Sequence, residues 1–520
     1  MIALSDLKRV AHQAFRYAAK QKDVREVEVF ASSTDHLLCR LNYTSGIPCH
    51  GVEEPKSSES FGFSIRAVFR TPQGDRVGFG ADARDLSLAA IRRAMDKARL
   101  NAVADDDFVS LPRPQGRAAR VSSAAYHDPD LMSLSDAELV GAGWRVINEA
   151  LGTLSRAQRV RQALSAKHSA AGLGLILSGD VNVLRQRIAI ASSHQPAVQT
   201  DESASMTSSV TCMVEREQTK GTGYEASPSL KKFTGAAGAE AAENALRGAG
   251  GRRVPTAEYT IIFGPQPVAD LMTNLIVPSL SADAFVSGRS AFLGQVGQRI
   301  AAPLLSLTDD GVTRGLVGTH KITCEGLPCG RTTLIRDGML TGLLANHYES
   351  ERLARDPRGR EKLGVSLAEQ PDLLRPQNGF RLSARGNRQF DVTPSIAATN
   401  VILESDEAHT IESLLRTVDH GLYIGRIWYT YAINGLRAGD FTCTAVGDSY
   451  IVRDGRLVEP LQPNTIRITG NIRTLLMNVI GMTRQRRPII GWSADDVIYA
   501  PDLAVRGVSV TEIAHFMESR

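Results

Sequence analysis

The side chains that could do chemistry are few and scattered. His409-Thr-Ile-Glu412 and Glu512-Ile-Ala-His515 each set a carboxylate and an imidazole one helical turn apart. A surface helix commonly carries such a pair with no catalytic role. His347, Glu349 and Glu351 recur at a spacing of two, which would gather them on one face of a strand, whereas Leu343–Leu353 has the pattern of a helix. Six cysteines, Cys39, Cys49, Cys212, Cys324, Cys329 and Cys443, are spread over the chain with no pair at C-x-x-C spacing. Reduced and mostly buried thiols are therefore expected. The cluster Gly248-Ala-Gly-Gly251 closes a helix and leads into a strand, the reverse of a dinucleotide loop, so it reads as a helix C-cap. No G-x-S-x-G elbow or phosphate loop occurs in the chain.

Bulk composition narrows the class. At 520 residues the chain is too long for one ordinary core, and 42% apolar with 22% charged residues is ordinary for a globular protein. Sixty basic against 56 acidic side chains leave a net charge of +4, which gives no nucleic-acid footprint. Asp6 and Lys8 stand where a signal peptide needs apolar residues, and no apolar run reaches the ~18 residues of a membrane span. A cytoplasmic protein with neither a nucleic-acid nor a membrane partner is expected.

The elements that must position any site follow from periodicity. Leu4–Gln21 is amphipathic, with Ser5 as its N-cap and Leu7, Val10, Ala11, Ala14 and Ala18 on one face. Strand signals at Val27–Ala31, Phe61–Phe69 and Arg76–Gly80 precede a helix at Leu86–Leu100 that turns Leu88, Ile91, Met95 and Ala98 inward. Residues 1–101 are thus expected to form an α+β domain, and the Asp- and Pro-rich stretch 102–130 a linker. Residues 131–252 form a central domain that opens on the capping box Ser135–Glu138, continues through β-like sequence at Arg159–Thr219 and ends with a helix at Ala236–Leu246. From 253 to 520 short apolar runs alternate with turn chemistry, Asp309-Asp310-Gly311, Asp337-Gly338 and Asp454-Gly455 being the sharpest breaks, so this half is β-rich. Its stretch Glu351–Arg388 holds nine Lys or Arg and five acidic residues, as a solvated surface loop or a basic rim at a substrate entrance would.

Several short motifs in this half carry a resemblance. Ser290-Ala-Phe292, Gly297-Gln-Arg299, the run Gly315–Gly326 with Glu325-Gly326, Leu334-Ile-Arg-Asp-Gly338 and Ile468-Thr-Gly-Asn471 leading into Ile472–Met477 resemble the TldD/PmbA family, also called modulators of DNA gyrase. The match is close over Val254–Gly481 and loose over the first 250 residues. It implies an α+β fold, an N-terminal mixed α/β region followed by a β-rich C-terminal domain of the TldD/PmbA type. It also implies a two-subunit zinc metalloprotease that cuts peptides inside an enclosed cavity. Glu351–Arg388 is longer than the family's usual connection there, and Cys324-Glu325 falls on the family's Glu-Gly turn, where structure explains it better than nucleophilic catalysis.

The resemblance also locates what is missing. Catalytic TldD subunits carry H-E-x-x-x-H on a helix, whose two imidazoles hold zinc beside a carboxylate that activates water. A gapless count back from Ser290 places those positions at Thr273, Asn274 and Pro278, and no His occurs between His194 and His320. Pro278 is further expected to break the helix that would align ligands. The family's third ligand is a Cys near the C-terminus, yet the corresponding Gly481–Trp492 has none and the last Cys is Cys443. The chain is therefore expected to resemble the PmbA (TldE) subunit, with no catalytic or metal-binding residues of its own and zinc in a TldD-like partner of a heterodimer. Trp428, Tyr429 and Tyr431 are candidates for lining the peptide cavity or, equally, for packing the core. Strand alternation would turn Trp428 and Thr430 one way and Tyr429 and Tyr431 the other. Two alternatives stay open: a stand-alone peptide or amide hydrolase with a relocated site, and a non-enzymatic peptide-binding or regulatory homodimer.

Overall fold

The computed structural model describes residues 1–47, 49–114, 126–157, 174–382, 388–491 and 496–513; His515 and Trp492 lie outside them. The N-terminal half is one antiparallel sheet of six strands in the order β3-β2-β1-β4-β5-β6. These are β1 (Val24–Thr44), β2 (Lys56–Thr71), β3 (Gly74–Ala83), β4 (Leu175–Ser192), β5 (Gln199–Val214) and β6 (Thr219–Ser227). Strand β1 is 21 residues long and pairs with β2 along one edge and with β4 along the other, from Glu28 to Thr44. Residues 1–101 and 131–252 accordingly share one layer. The sequence signal stops at Ala31 because the next four residues, Ser32–Asp35, are polar, although all four are buried inside the sheet.

Period-two alternation divides this sheet into two faces. Val27, Val29 and Ala31 pack under the helices Leu4–Ala19 and Leu88–Leu100, while Leu37, Cys39 and Leu41 pack under Asp136–Arg156 and Ala236–Arg247. The opposite face carries Phe30, Ile188 and Ile190, which meet Ile322, Cys324, Phe380 and Phe390 of the C-terminal half. The Ser135–Glu138 capping box forms, and Gly248 caps Ala236–Arg247. Two local expectations shift. The first helix starts after Ala3, whose carbonyl accepts from Asp6 and Leu7, so Ser5 lies within its first turn and is not the cap. Leu88 is 54% exposed, because the stripe facing the sheet runs through Ala90, Ile91, Ala94, Met95 and Ala98.

The C-terminal half is β-rich, with one sheet of nine strands and one of six over a shared apolar core. Asp337-Gly338 and Asp454-Gly455 make tight hairpin turns, all four residues at positive φ. Asp309 and Asp310 do not make a turn. They end the strand Ser306–Asp310, and the buried Asp309 carboxylate accepts from Thr399 N (2.7 Å) and Asn378 Nδ2 (2.6 Å). The basic stretch 351–388 is solvated only in part: Arg355, Arg358, Arg360 and Arg375 are exposed, but its C-terminal end turns inward. Arg381 and Arg388 are among the largest fully buried side chains of the protein, and both reach into the six-stranded N-terminal sheet.

Candidate functional site

A cavity of about 1100 Å³ opens between the face of the N-terminal sheet that carries no helices and the C-terminal half. Charged contacts between the two halves fix its ends. At one end Arg388 donates to Asp201 Oδ2 (2.9 Å), Gln186 Oε1 (2.9 Å) and Ser203 Oγ (2.6 Å). His320 Nδ1 lies 3.4 Å from the same Asp201 oxygen. Burial pushes the Asp201 carboxyl up, but His320 and Arg388 outweigh it and hold the group below its usual value.

Behind this end Arg381 donates to Glu28 Oε1 (2.5 Å) and Ser64 Oγ (3.1 Å), and its guanidinium lies 4.7 Å from the Phe30 ring centre. Both members of the Arg381–Glu28 pair are fully buried. Glu325 lies next to that pair and accepts from His347 N (3.0 Å); burial pushes its carboxyl up to about 7.

At the other end Arg487 grips Glu240 with both terminal nitrogens (2.5 and 2.7 Å) and also donates to Tyr224 O. Thr222 hydrogen-bonds the Asp448 carboxylate, which burial raises to about 6. Asp270 is also raised by burial, and Arg426 lies in the field of both carboxylates without an ion-pair partner among the described residues. Sequence reasoning missed this cavity because its ionic partners stand far apart in the chain, Arg388 and Asp201 by 187 positions.

Pro265–Leu271 opens a helix that contributes Gln266, Ala269 and Asp270 to the cavity. Pro278 does not break it. The helix widens into a π turn over Met272–Ile276 and resumes at Val277–Ser279. The π pattern bonds i to i+5 and so changes which carbonyls need a donor just before a residue that has no N–H. The same turn brings positions five apart, as Thr273 and Pro278 are, onto a common side. Their chemistry does not fit zinc. Thr273 Oγ1 donates to Asp496 Oδ2 (3.0 Å), the Asn274 amide donates to Asp270 O (2.9 Å), and Pro278 offers no side-chain donor atom.

Trp428, Tyr429 and Tyr431 neither line this cavity nor pack the core. They lie on Arg426–Ala432, an edge strand of the nine-stranded sheet, and are 51%, 69% and 55% exposed. Tyr429 has φ +55°, and the pairing with the neighbouring strand shifts between Trp428 and Tyr431. That bulge breaks the expected alternation and leaves all three rings in solvent. Beside them Gln266 holds both polar groups of the Ile427 backbone, donating to its O and accepting from its N.

The other sequence candidates also disperse. His409 precedes the N-cap of Ile411–Val418 and bonds Ser413, so it and Glu412 do not share a helical turn. His347 and Glu349 sit on the helix His347–Arg355. Burial pushes the Cys324 thiol up to about 11, which leaves it protonated at neutral pH. Among the described residues the one tight cluster of three ligand-type side chains is Asp419, His420 and Asp454, all exposed.

The PmbA/TldA metallopeptidase C-terminal domain model matches residues 256–512, and the PmbA/TldA metallopeptidase domain 1 model matches residues 51–102. The chain belongs to the TldD/PmbA family. Among relatives, it is 22% identical over 245 residues to a metalloprotease of Methanothermobacter thermautotrophicus, covering 46% of this chain and 45% of that one. It is 21% identical over 232 residues to a metalloprotease TldD homologue of Buchnera aphidicola, covering 44% and 42%. These matches therefore span less than half the length of the relatives. The TldE crystal structure from Thermococcus kodakarensis aligns over 96% of this chain and 100% of its own, with TM-score 0.76 and 17% identity. The TldD/PmbA fold, with a β-rich C-terminal half after the N-terminal sheet, thus extends over nearly the whole chain.

Proposed function

We propose that this chain is a TldE-like subunit of a two-subunit TldD-type zinc metallopeptidase, holding peptide while a zinc-bearing partner cuts it. The observation that carries this reading is the helix Pro265–Ser279. It keeps a π turn suited to residues five apart, but Thr273 donates to the Asp496 carboxylate, Asn274 donates to the Asp270 backbone carbonyl, and Pro278 has no donor atom. Zinc and its activated water then belong to the partner. The cavity suits the non-catalytic role, since its ionic groups tie the two halves together. In this reading Trp428, Tyr429 and Tyr431 contact peptide from the exposed edge strand, outside the internal cavity, where aromatic rings give large contact area at low entropy cost.

Copurification with a partner bearing H-E-x-x-x-H, metal analysis of each species and a peptide digestion assay test this directly. The expected result is a metal-free, inert chain and a pair that cuts peptides. Stoichiometric metal in this chain, or hydrolysis by it alone, would overturn the proposal in favour of a stand-alone hydrolase. A homodimer inactive in every pairing would replace it with a binding or regulatory role.

A further inference from the structure

Strand β5 presents Ser203, Ser205, Thr207, Ser209 and Thr211 to the cavity, while Ala204, Met206, Val210 and Cys212 between them enter the core under the helices. The Ser203 hydroxyl accepts from Arg388 (2.6 Å). The other four hydroxyls have no hydrogen-bond partner among the described residues. Strand geometry spaces them about 6.8 Å apart, and the five-residue row spans roughly 27 Å. The adjacent row on β4 adds Ser178, Asn182 and Gln186, and its one charged member, Asp180, is held by Arg40 at 3.4 Å. This wall is polar and almost without free charge. The facing wall is apolar where Val317, Phe380, Ile489, Ile490 and Val497 line it.

These two walls select among ligands. A polyanion finds no cation on the hydroxyl row itself; Arg388 and Arg487 at the cavity ends are paired with Asp201 and Glu240, and Arg426 lies in the field of Asp270 and Asp448. A wholly apolar ligand would strand hydroxyls that water otherwise satisfies, and each one buried without a partner is destabilising. A glycan offers hydroxyls to both walls and leaves the apolar one unmatched. An extended peptide repeats its side chains on each face every ~6.8 Å, the same repeat as the hydroxyl row. We infer that this cavity takes an extended peptide of about eight residues in which small uncharged polar and apolar side chains alternate. The polar set meets the β5 hydroxyls, which can donate and accept, and the apolar set meets the facing wall. The inference rests on the peptide-holding role proposed above and names the pattern that role selects: an unpaired amphipathic β segment.

The test uses the full chain and two fluorescein-labelled octapeptides of identical composition, one alternating Val and Ser and one with four Val followed by four Ser. Fluorescence anisotropy should give at least tenfold tighter binding of the alternating peptide. That preference should fall below threefold in the triple variant Ser205→Ala/Thr207→Val/Ser209→Ala, with the circular dichroism spectrum unchanged. If the wild-type chain binds both peptides equally, the inference is overturned while the peptide-holding role stands. If it binds neither, both fall. If the triple variant does not fold, the two-peptide comparison on the wild type still decides.

Discussion

Arg381 and Arg388 are at most 1% exposed, whereas Trp428, Tyr429 and Tyr431 are each more than half exposed. Hydropathy alone would assign them the other way round. The arginines are buried because each arrives at a carboxylate already sunk in the N-terminal sheet, Glu28 or Asp201. Neither ion of a pair could be buried without the other. The aromatics are exposed because their strand lies at a sheet edge and a bulge at Tyr429 turns consecutive rings outward. Burial here is decided by which partner a residue finds.

The contrast can be broken most sharply at the ion pairs. Arg388→Ala leaves Asp201 buried without its cation and should cost about 3–5 kcal/mol in chemical denaturation; a loss below about 1 kcal/mol would mean that the pair does not fasten the two halves. Glu325 extends the test to pH. Its carboxyl is raised from 4.5 to about 7, so the fold favours the protonated form. This contribution is fully present below pH 4.5 and is lost as pH rises through about 7. Glu325→Gln should therefore match the wild type near pH 4.5 and exceed it by about 3 kcal/mol at pH 8, read as a pH-dependent difference in Tm. An equal Tm difference at both pH values would contradict the raised carboxyl.

Replacing both members of the other pair, Arg381→Met with Glu28→Leu, should leave stability within about 1–2 kcal/mol of the wild type, because no lone charge remains. Each single substitution should cost several times more, and the double-mutant cycle measures the coupling. The smallest effect is expected at the exposed strand. Trp428→Ala should change stability by no more than about 0.5 kcal/mol, yet reduce partner-dependent proteolysis. Unchanged proteolysis with an intact fold would remove Trp428 from the peptide surface.

Much of the fold was legible in the sequence. The Ser135–Glu138 capping box and the turns at Asp337-Gly338 and Asp454-Gly455 are local devices, and they form where their spacing places them. The β-rich character of the second half followed from the same turn chemistry. Strand β1 was only partly legible, because Ser32–Asp35 are buried polar residues that sequence periodicity reads as an ending. The site was the least legible part. That Thr273, Asn274 and Pro278 do not suit zinc could be read from their residue types, but the π turn that absorbs Pro278 and the cavity itself could not.

The sequence by itself determined the family motifs, the helix caps and hairpin turns, and the absence of His between His194 and His320, since each depends on residues close together in the chain. Only the tertiary structure decided that the basic stretch 351–388 sends Arg381 and Arg388 into the interior and that a row of β5 hydroxyls faces a cavity. It also decided that three aromatics stand in solvent. Those outcomes depend on contacts between residues far apart in the chain, such as Arg381 and Glu28 at 353 positions, where chain-closure entropy must be offset by partners that no local pattern reveals.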